Sequence, residues 1–249
     1  GPIEYAASFF MVLAALPFVR YVQLLNGNQF AVWRDAQVRG FLMTIAVLVV
    51  ICAAVLALAQ DRAFEPAFRR ALFNIISIAS GTGYASADYM LWGSFLVSLF
   101  FFAGLIGGCA GSTACSVKIF RYQLLFASIR TQMRRIHSPN GVFSPRYKGR
   151  TVSEDVLSSV MSFFVFFVVT LGLLAVALSM TGLDLITALS GASAALANIG
   201  PGLGSEIGPA GNYGGLNDIA KWLLAFGMLI GRLELLAVYA ILTVGFWRG

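Results

Sequence analysis

Two segments of this chain, Phe64 to Ala79 and Leu185 to Ala197, are hydrophobic enough to enter a membrane and too short to cross one. A helix that spans a bilayer needs about 20 mostly apolar residues. A shorter one must turn at membrane depth, where irregular backbone survives only if protein buries it or water reaches it. Both segments end in such a turn. The first runs into Ser80-Gly81-Thr82-Gly83-Tyr84 and the second into Asn198-Ile199-Gly200-Pro201-Gly202, and a further apolar stretch follows each.

The flanking sequence supplies the surrounding helices. Ile3 to Val19 is apolar, with Pro17 placed to kink or end a helix, and a polar linker from Arg20 to Arg39 follows it. Gly40 to Ala59 is an uncharged run of Val, Ile, Leu and Ala that Gln60-Asp61-Arg62 stops. Pro66 suits the first turn of the short helix that follows, and the glycines from Gly81 suit its end. Leu91 to Ile106 begins another helix, interrupted by Gly107-Gly108-Cys109-Ala110-Gly111-Ser112-Thr113-Ala114-Cys115-Ser116. A continuous helix from Asp88 to Arg135 would be about 70 Å long, roughly twice the bilayer, so these small residues mark a break that lines a cavity. After a loop rich in Pro, Gly and Arg the plan recurs. Val156 to Met180 spans, Asp184 caps Leu185 to Ala197, Gly200 to Gly204 forms the second loop, and Trp222 to Phe246 spans back.

Composition agrees with lipid as the main solvent. Hydrophobic residues make up 59% of the chain and charged ones 11%, against about 25% charged in a soluble domain. On so apolar a chain the net charge of +6 reads as an orientation signal, and nucleic acid is not expected as a partner. Of the seventeen Lys and Arg, three lie in Arg20 to Arg39, eight in Lys118 to Arg150 and one at Arg248, all on one side if the helices alternate. That side is expected to be cytoplasmic, which turns Asp61, Glu65, Asp88, Asp184 and Glu206 outward, toward arriving cations. Three cysteines and one histidine offer no zinc spacing, so the cysteines read as small packing residues and His137 as a solvated loop residue. The opening Gly1-Pro2-Ile3-Glu4 is expected to belong to a chain cut from something longer, or to a processed one.

Glycine strings after short apolar helices have the pattern of potassium-channel pore loops. A selectivity filter replaces an ion's water shell with backbone carbonyls, which needs extended backbone, little side-chain bulk and glycines that accept unusual dihedrals. Each short helix points its C-terminal end, with about half a negative charge, at the filter. Arg232 and Glu234 interrupt an apolar helix, and charges at membrane depth face a cavity or a partner when they are functional. An arginine below the filter would repel cations and suits a gate; a local ion pair, or snorkelling to the interface, is the alternative. The basic segment Lys118 to Arg150 reads either as orientation alone or as a dock for a cytosolic partner or anionic lipid. Catalysis is not expected: Ser193 in Gly191-Ala192-Ser193-Ala194 has a faint likeness to an intramembrane protease serine, but His137 lies in a cytoplasmic loop, out of reach.

With these motifs placed, the chain resembles the membrane subunit of Trk-type bacterial potassium uptake systems, the TrkH group of the Trk/Ktr/HKT superfamily. The resemblance rests on Gly107 to Ala114, on Asn198-Ile199-Gly200-Pro201-Gly202-Leu203-Gly204, on Gly231-Arg232-Leu233-Glu234 and on Phe246-Trp247-Arg248. It implies an all-α polytopic membrane protein of repeated helix–pore loop–helix units of potassium-channel type, four per pore, of which this chain is the C-terminal half. Residues 1–38 would be the last helix of a preceding repeat plus a linker. Residues 39–136 would be the third repeat with its intramembrane loop at 107–116, 137–153 a cytoplasmic loop and 154–249 the fourth repeat. The implied filter comprises Ser80, Gly81, Thr82, Gly83 and Tyr84 with Asn198, Ile199, Gly200, Pro201 and Gly202, centred on Gly83 and Gly200. The implied gate comprises Gly107, Gly108, Gly111, Ser112, Thr113 and Arg232.

Potassium is then the substrate, with no covalent cofactor, and the inner membrane the location. Membrane lipid, a second copy of the full-length protein and a cytosolic nucleotide-binding (TrkA-like) regulatory subunit are the implied partners. Cys115-Ser116 departs from the two glycines common there, which would stiffen the loop. Two of four repeats cannot close a four-sided filter, so the chain is expected to be a fragment, or else two copies assemble a pore. A non-conducting membrane scaffold with the same fold is the competing function.

Overall fold

The computed structural model describes the chain except for Gln29, residues 60–62, Pro139, Glu234, residues 244–245 and residues 248–249. The Gln60-Asp61-Arg62 stop, Glu234 and Arg248 therefore lie outside the described residues.

Helix α1 (Pro2–Ala14) and helix α2 (Phe18–Leu25) meet at 91° across Pro17. Proline has no N–H and its ring blocks the preceding turn, so the helix cannot run through. Helix α3 (Ala36–Ala59) is long and apolar enough to cross a membrane. Its buried residues Val38, Phe41, Ile45, Val49, Cys52 and Leu56 recur every three or four positions, while Met43, Val47 and Val50 face outward. The buried stripe lies against helix α4 (Phe64–Ser80), whose second half from Phe73 onward is wholly buried. Arg69 of α4 pairs with Glu4 of α1 and, at 3.1 Å, with Glu65.

Past α4 the chain turns, makes a short 3₁₀ turn at Tyr89–Trp92 capped by Asp88, and descends through helix α5 (Ser94–Leu105). Tyr89 stacks on Phe100 with ring centres 4.2 Å apart. Two short parallel strands, β1 (Ile106–Gly107) and β2 (Val117–Lys118), close the base of the interrupting loop. Helix α6 (Ile119–His137) leaves it, ending in Arg134, Arg135 and His137, and a hairpin of β3 (Arg146–Tyr147) and β4 (Arg150–Thr151) follows.

The second unit repeats the first. Helix α7 (Glu154–Ser179) is the second helix of spanning length, α8 (Leu185–Ala197) is the second short helix, and α9 (Asp218–Arg232) leads away from it. Lipid offers no hydrophobic driving force between helices, so close packing of small residues must hold them. Accordingly α8 buries Ala188, Gly191, Ala192 and Ala195 between α7 and α9, and a Cβ on Gly227 would lie 2.6 Å from Leu174 and 3.3 Å from Ala195.

The last span departs from the expected single helix, Trp222 to Phe246. It starts earlier, at Asp218, because the Asn217 side chain accepts a hydrogen bond from the Ala220 N–H at 2.8 Å. It also stops at Arg232, and helix α10 (Leu235–Leu242) begins afresh. The break falls in the Gly231-Arg232-Leu233-Glu234 stretch whose charges interrupt the apolar run in the sequence.

Candidate functional site

The C-terminal ends of α4 and α8 converge on the two glycine strings. Gly81 ends α4 in the left-handed region at φ 74°, and Asn198 ends α8 there at φ 52°. In the first string, the Ser77 carbonyl accepts the N–H groups of both Thr82 and Gly83, and the Ser80 and Thr82 hydroxyls lie 2.7 Å apart. Asn74, fully buried on α4, reaches across the turn, donating to Ser86 Oγ at 3.0 Å and accepting the Ser86 N–H at 3.1 Å. In the second string, Ser190 of α8 accepts the Leu203 N–H at 2.8 Å and donates to the Leu203 carbonyl at 3.1 Å. The Tyr213 hydroxyl donates to the Gly200 carbonyl, which occupies one of that oxygen's two lone pairs.

The strings lie side by side. Gly83 has φ 80°, and a Cβ there would collide with the Ile199 carbonyl and come within 3.0 Å of Pro201. Gly200 has φ 115°, but a Cβ there would meet only the Gly83 Cα, at 3.9 Å. Thr82 and Gly200 are exposed, so the paired strings present one open side. Tyr84 has 72% of its surface exposed. Asp88 and Asp184, expected among outward carboxylates, cap the 3₁₀ turn and α8: Asp184 accepts the Ile186 and Thr187 N–H groups at 3.1 and 3.2 Å.

The interrupting loop folds back on itself. A Cβ on Gly107 would collide with the Cys115 carbonyl, one on Gly108 would sit 2.8 Å from both Ala114 and the Ala15 carbonyl, and Gly111 has φ 77°. These glycines set the path of the loop. The loop is held by the bend at Pro17. A helix end leaves carbonyls without partners, and here Ala14 accepts the Thr113 N–H while Ala15 accepts the Cys109 N–H at 3.0 Å. Phe18 returns an N–H to the Gly111 carbonyl at 3.0 Å.

Arg232, the last residue of α9, reaches the loop from the other repeat. Its Nη1 lies 2.9 Å from Cys115 Sγ and 3.3 Å from the Thr113 carbonyl. A cavity of about 160 Å³ sits there, lined by Ser112, Thr113, Cys115, Arg121, Leu196 and Arg232. Gly231 lets α9 press on the Leu196 carbonyl, and Asn198 Nδ2 donates to the Met228 carbonyl at 3.0 Å, so α9 touches both the second glycine string and, through Arg232, the loop.

Sequence reading did not single out Asn74, Tyr213 or Asn217; polar residues that cap a turn or brace a loop carry a signal only once their partners are placed.

The protein-family model for TrkH, described as a cation transport protein, matches residues 3–244. The chain belongs to the TrkH family. Among curated TrkH-family relatives, the Trk system potassium uptake protein TrkI of Halomonas elongata is 44% identical over 98% of this chain and 49% of its own length. TrkH of Escherichia coli K12 is 33% identical over 99% of this chain and 51% of its own. The crystal structure of the potassium transporter TrkH from Vibrio parahaemolyticus superposes with a TM-score of 0.92 at 30% identity, covering 98% of this chain and 53% of that one. The chain spans about half the length of the curated relatives it matches. Its architecture is that of a TrkH-type helical membrane protein with repeated pore-loop units.

Proposed function

We propose that this chain forms the C-terminal half of a potassium pathway through the bacterial inner membrane. Carbonyls of Ser80 to Tyr84 and Asn198 to Gly202 provide two sides of a four-sided filter, and the preceding half of the full-length protein provides the others. Dehydrated potassium is held by these oxygens and by the negative ends of α4 and α8. The loop 107–116, with Ser112 and Thr113 facing the cavity and Gly107, Gly108 and Gly111 setting its path, closes the route below. Arg232 adds a positive charge that repels cations while its bonds to Thr113 and Cys115 persist. The full-length protein works as a dimer with a TrkA-like cytosolic regulatory subunit, and needs no covalent cofactor.

The observation that supports this reading is the close approach of the two glycine strings at Gly83 and Ile199, together with the bonds from Arg232 of the second repeat to Thr113 and Cys115 of the loop. The names of relatives in both comparisons, potassium uptake proteins and a potassium transporter, agree with it. Tracer potassium uptake into liposomes containing the full-length protein tests it, comparing the parent with Gly200→Ser under an imposed gradient. Selective flux in the parent, abolished or made sodium-tolerant in the variant, is the expected result. A parent that carries no flux even with its regulatory partner would instead be a non-conducting scaffold.

A further inference from the structure

A buried carboxylate outside the filter and the loop joins three parts of the molecule. Asp35 stands just before α3 and has 4% of its surface exposed. Its Oδ2 accepts from Arg20 Nε of α2 at 2.7 Å and from Lys148 Nζ of the β3–β4 hairpin at 3.1 Å, and its Oδ1 accepts the Gln37 N–H at 2.8 Å. The next link is Gln37 itself, whose Oε1 accepts the Ala110 N–H of the intramembrane loop at 2.9 Å. The same hairpin reaches α6 and α3 through a relay: Tyr147 donates to Gln123 Oε1 at 3.0 Å, and Gln123 donates to the Ala36 carbonyl at 2.8 Å.

The hairpin turn is built at a cost. Lys148 and Gly149 have φ 50° and 79°, the pattern of a two-residue type I′ turn, where Asn, Asp or Gly usually stands first. A lysine in the left-handed region is unfavourable, and here its ammonium ends on Asp35. Arg20 ties the same carboxylate to α2, beside the Pro17 bend that holds Cys109, Gly111 and Thr113. The contacts therefore close a ring: bend, Arg20, Asp35, Gln37, loop and back to the bend.

We propose that Asp35 is a positioning residue that latches the intramembrane loop in its closed place, and that Lys148 is the member of the latch a cytosolic event can withdraw. The hairpin carries no part of the filter, so a displacement of a few ångströms there removes one cation from Asp35 and loosens Gln37 without touching the carbonyl strings. The latch rests on the reading of residues 107–116 as a gate.

The test uses the full-length protein in liposomes, with Asp35→Asn, Lys148→Met, Gln37→Leu and the conservative Asp35→Glu. Two readouts are taken: potassium flux over a range of concentrations, and the rate at which a membrane-impermeant thiol reagent modifies Cys115 from the cytosolic side, in a background where Cys115 is the sole thiol. Losing one hydrogen bond of the latch, charge-assisted at Asp35 and neutral between Gln37 and Ala110, corresponds to a change of up to roughly ten-fold in a conformational equilibrium. Asp35→Asn, Lys148→Met and Gln37→Leu should raise flux and Cys115 modification by about that factor, with the half-saturating potassium concentration unchanged, and Asp35→Glu should restore the parent values. Parent-like modification rates in Lys148→Met and Gln37→Leu would overturn the latch, as would a fall in flux. Lys148 is exposed, so Lys148→Met separates latch release from misfolding. If the parent does not conduct at all, the potassium reading fails, while the Cys115 rates still decide the latch.

Discussion

Gly83 and Gly200 both carry positive φ, yet a side chain meets different obstacles at the two positions. At Gly83 a Cβ runs into the Ile199 carbonyl, which belongs to the neighbouring string and cannot withdraw without opening the pair. At Gly200 the space is open and the penalty is the backbone conformation alone, of order 1–3 kcal/mol. Gly83→Ala should therefore separate the strings and lower thermal stability in detergent as well as abolish flux, whereas Gly200→Ala should change selectivity with a smaller loss of stability. Parallel melting curves and flux ratios for potassium and sodium check both. Equal losses at the two sites would contradict this account. The motif strings pointed to these glycines directly, since few residues other than glycine accept such dihedrals. They did not show which glycine faces a neighbour and which faces open space, because that depends on the partner string more than a hundred residues away.

Helix ends decide much of what the elements do. Asp184 caps α8, and the Thr187 side chain, followed by the Thr187 and Ile186 N–H groups, holds its carboxyl below the ordinary aspartate range. A lowered carboxyl contributes stability at pH values above its unfolded pKa and loses it only as pH falls through the lowered value, so the cap is complete throughout neutral pH. Asp184→Ala should cost about 1 kcal/mol, the usual value for a lost cap, with an unchanged penalty between pH 6 and 8. Thermal unfolding across that interval measures it; a penalty that disappeared toward pH 6 would show that the cap titrates there.

Asp35 follows the same sign. Burial pushes its carboxyl up, but the Gln37 N–H, Lys148 and Arg20 together outweigh burial and hold it below its ordinary value. The spanning helices and α8 were legible from apolar length and a capping aspartate. The break between α9 and α10, the β3–β4 hairpin and the Asp35 cluster were not. Arg232 and Glu234 read as charges in an apolar run and not as a helix end; the hairpin turns on Lys148, where Asn, Asp or Gly usually stands; and the Asp35 cluster exists only through contacts between segments far apart in sequence.

At the scale of the molecule, two apolar cores divide the work. One gathers α1, α3, α4 and α5, the other α7, α8 and α9, and Ala197, Ile199 and Leu203 of the second repeat belong to the first core. The second repeat thus helps complete the first core beside the glycine strings. Thr82 and Gly200 are exposed, as are Phe10, Phe102 and Trp222, and on the proposed function these surfaces meet lipid or the preceding half of the full-length protein. This chain alone in liposomes should support no potassium-selective flux, and coexpression with the preceding half should restore it. Selective flux from this chain alone would mean that copies of it assemble the pore. Composition and repetition made the repeated architecture readable; the shared core was not, because it comes from residues that cross from one repeat into the other.

The Pro17 bend has an inverse consequence. Breaking the first helix there is what frees Ala14 and Ala15 to accept the loop's N–H groups. Pro17→Ala, which elsewhere strengthens a helix, would let the chain reclaim those carbonyls for its own turns. The mutant should gain helical content by circular dichroism and, if residues 107–116 act as the proposed gate, leak ions at the same time, so that the helix and the loop compete for the same two oxygen atoms.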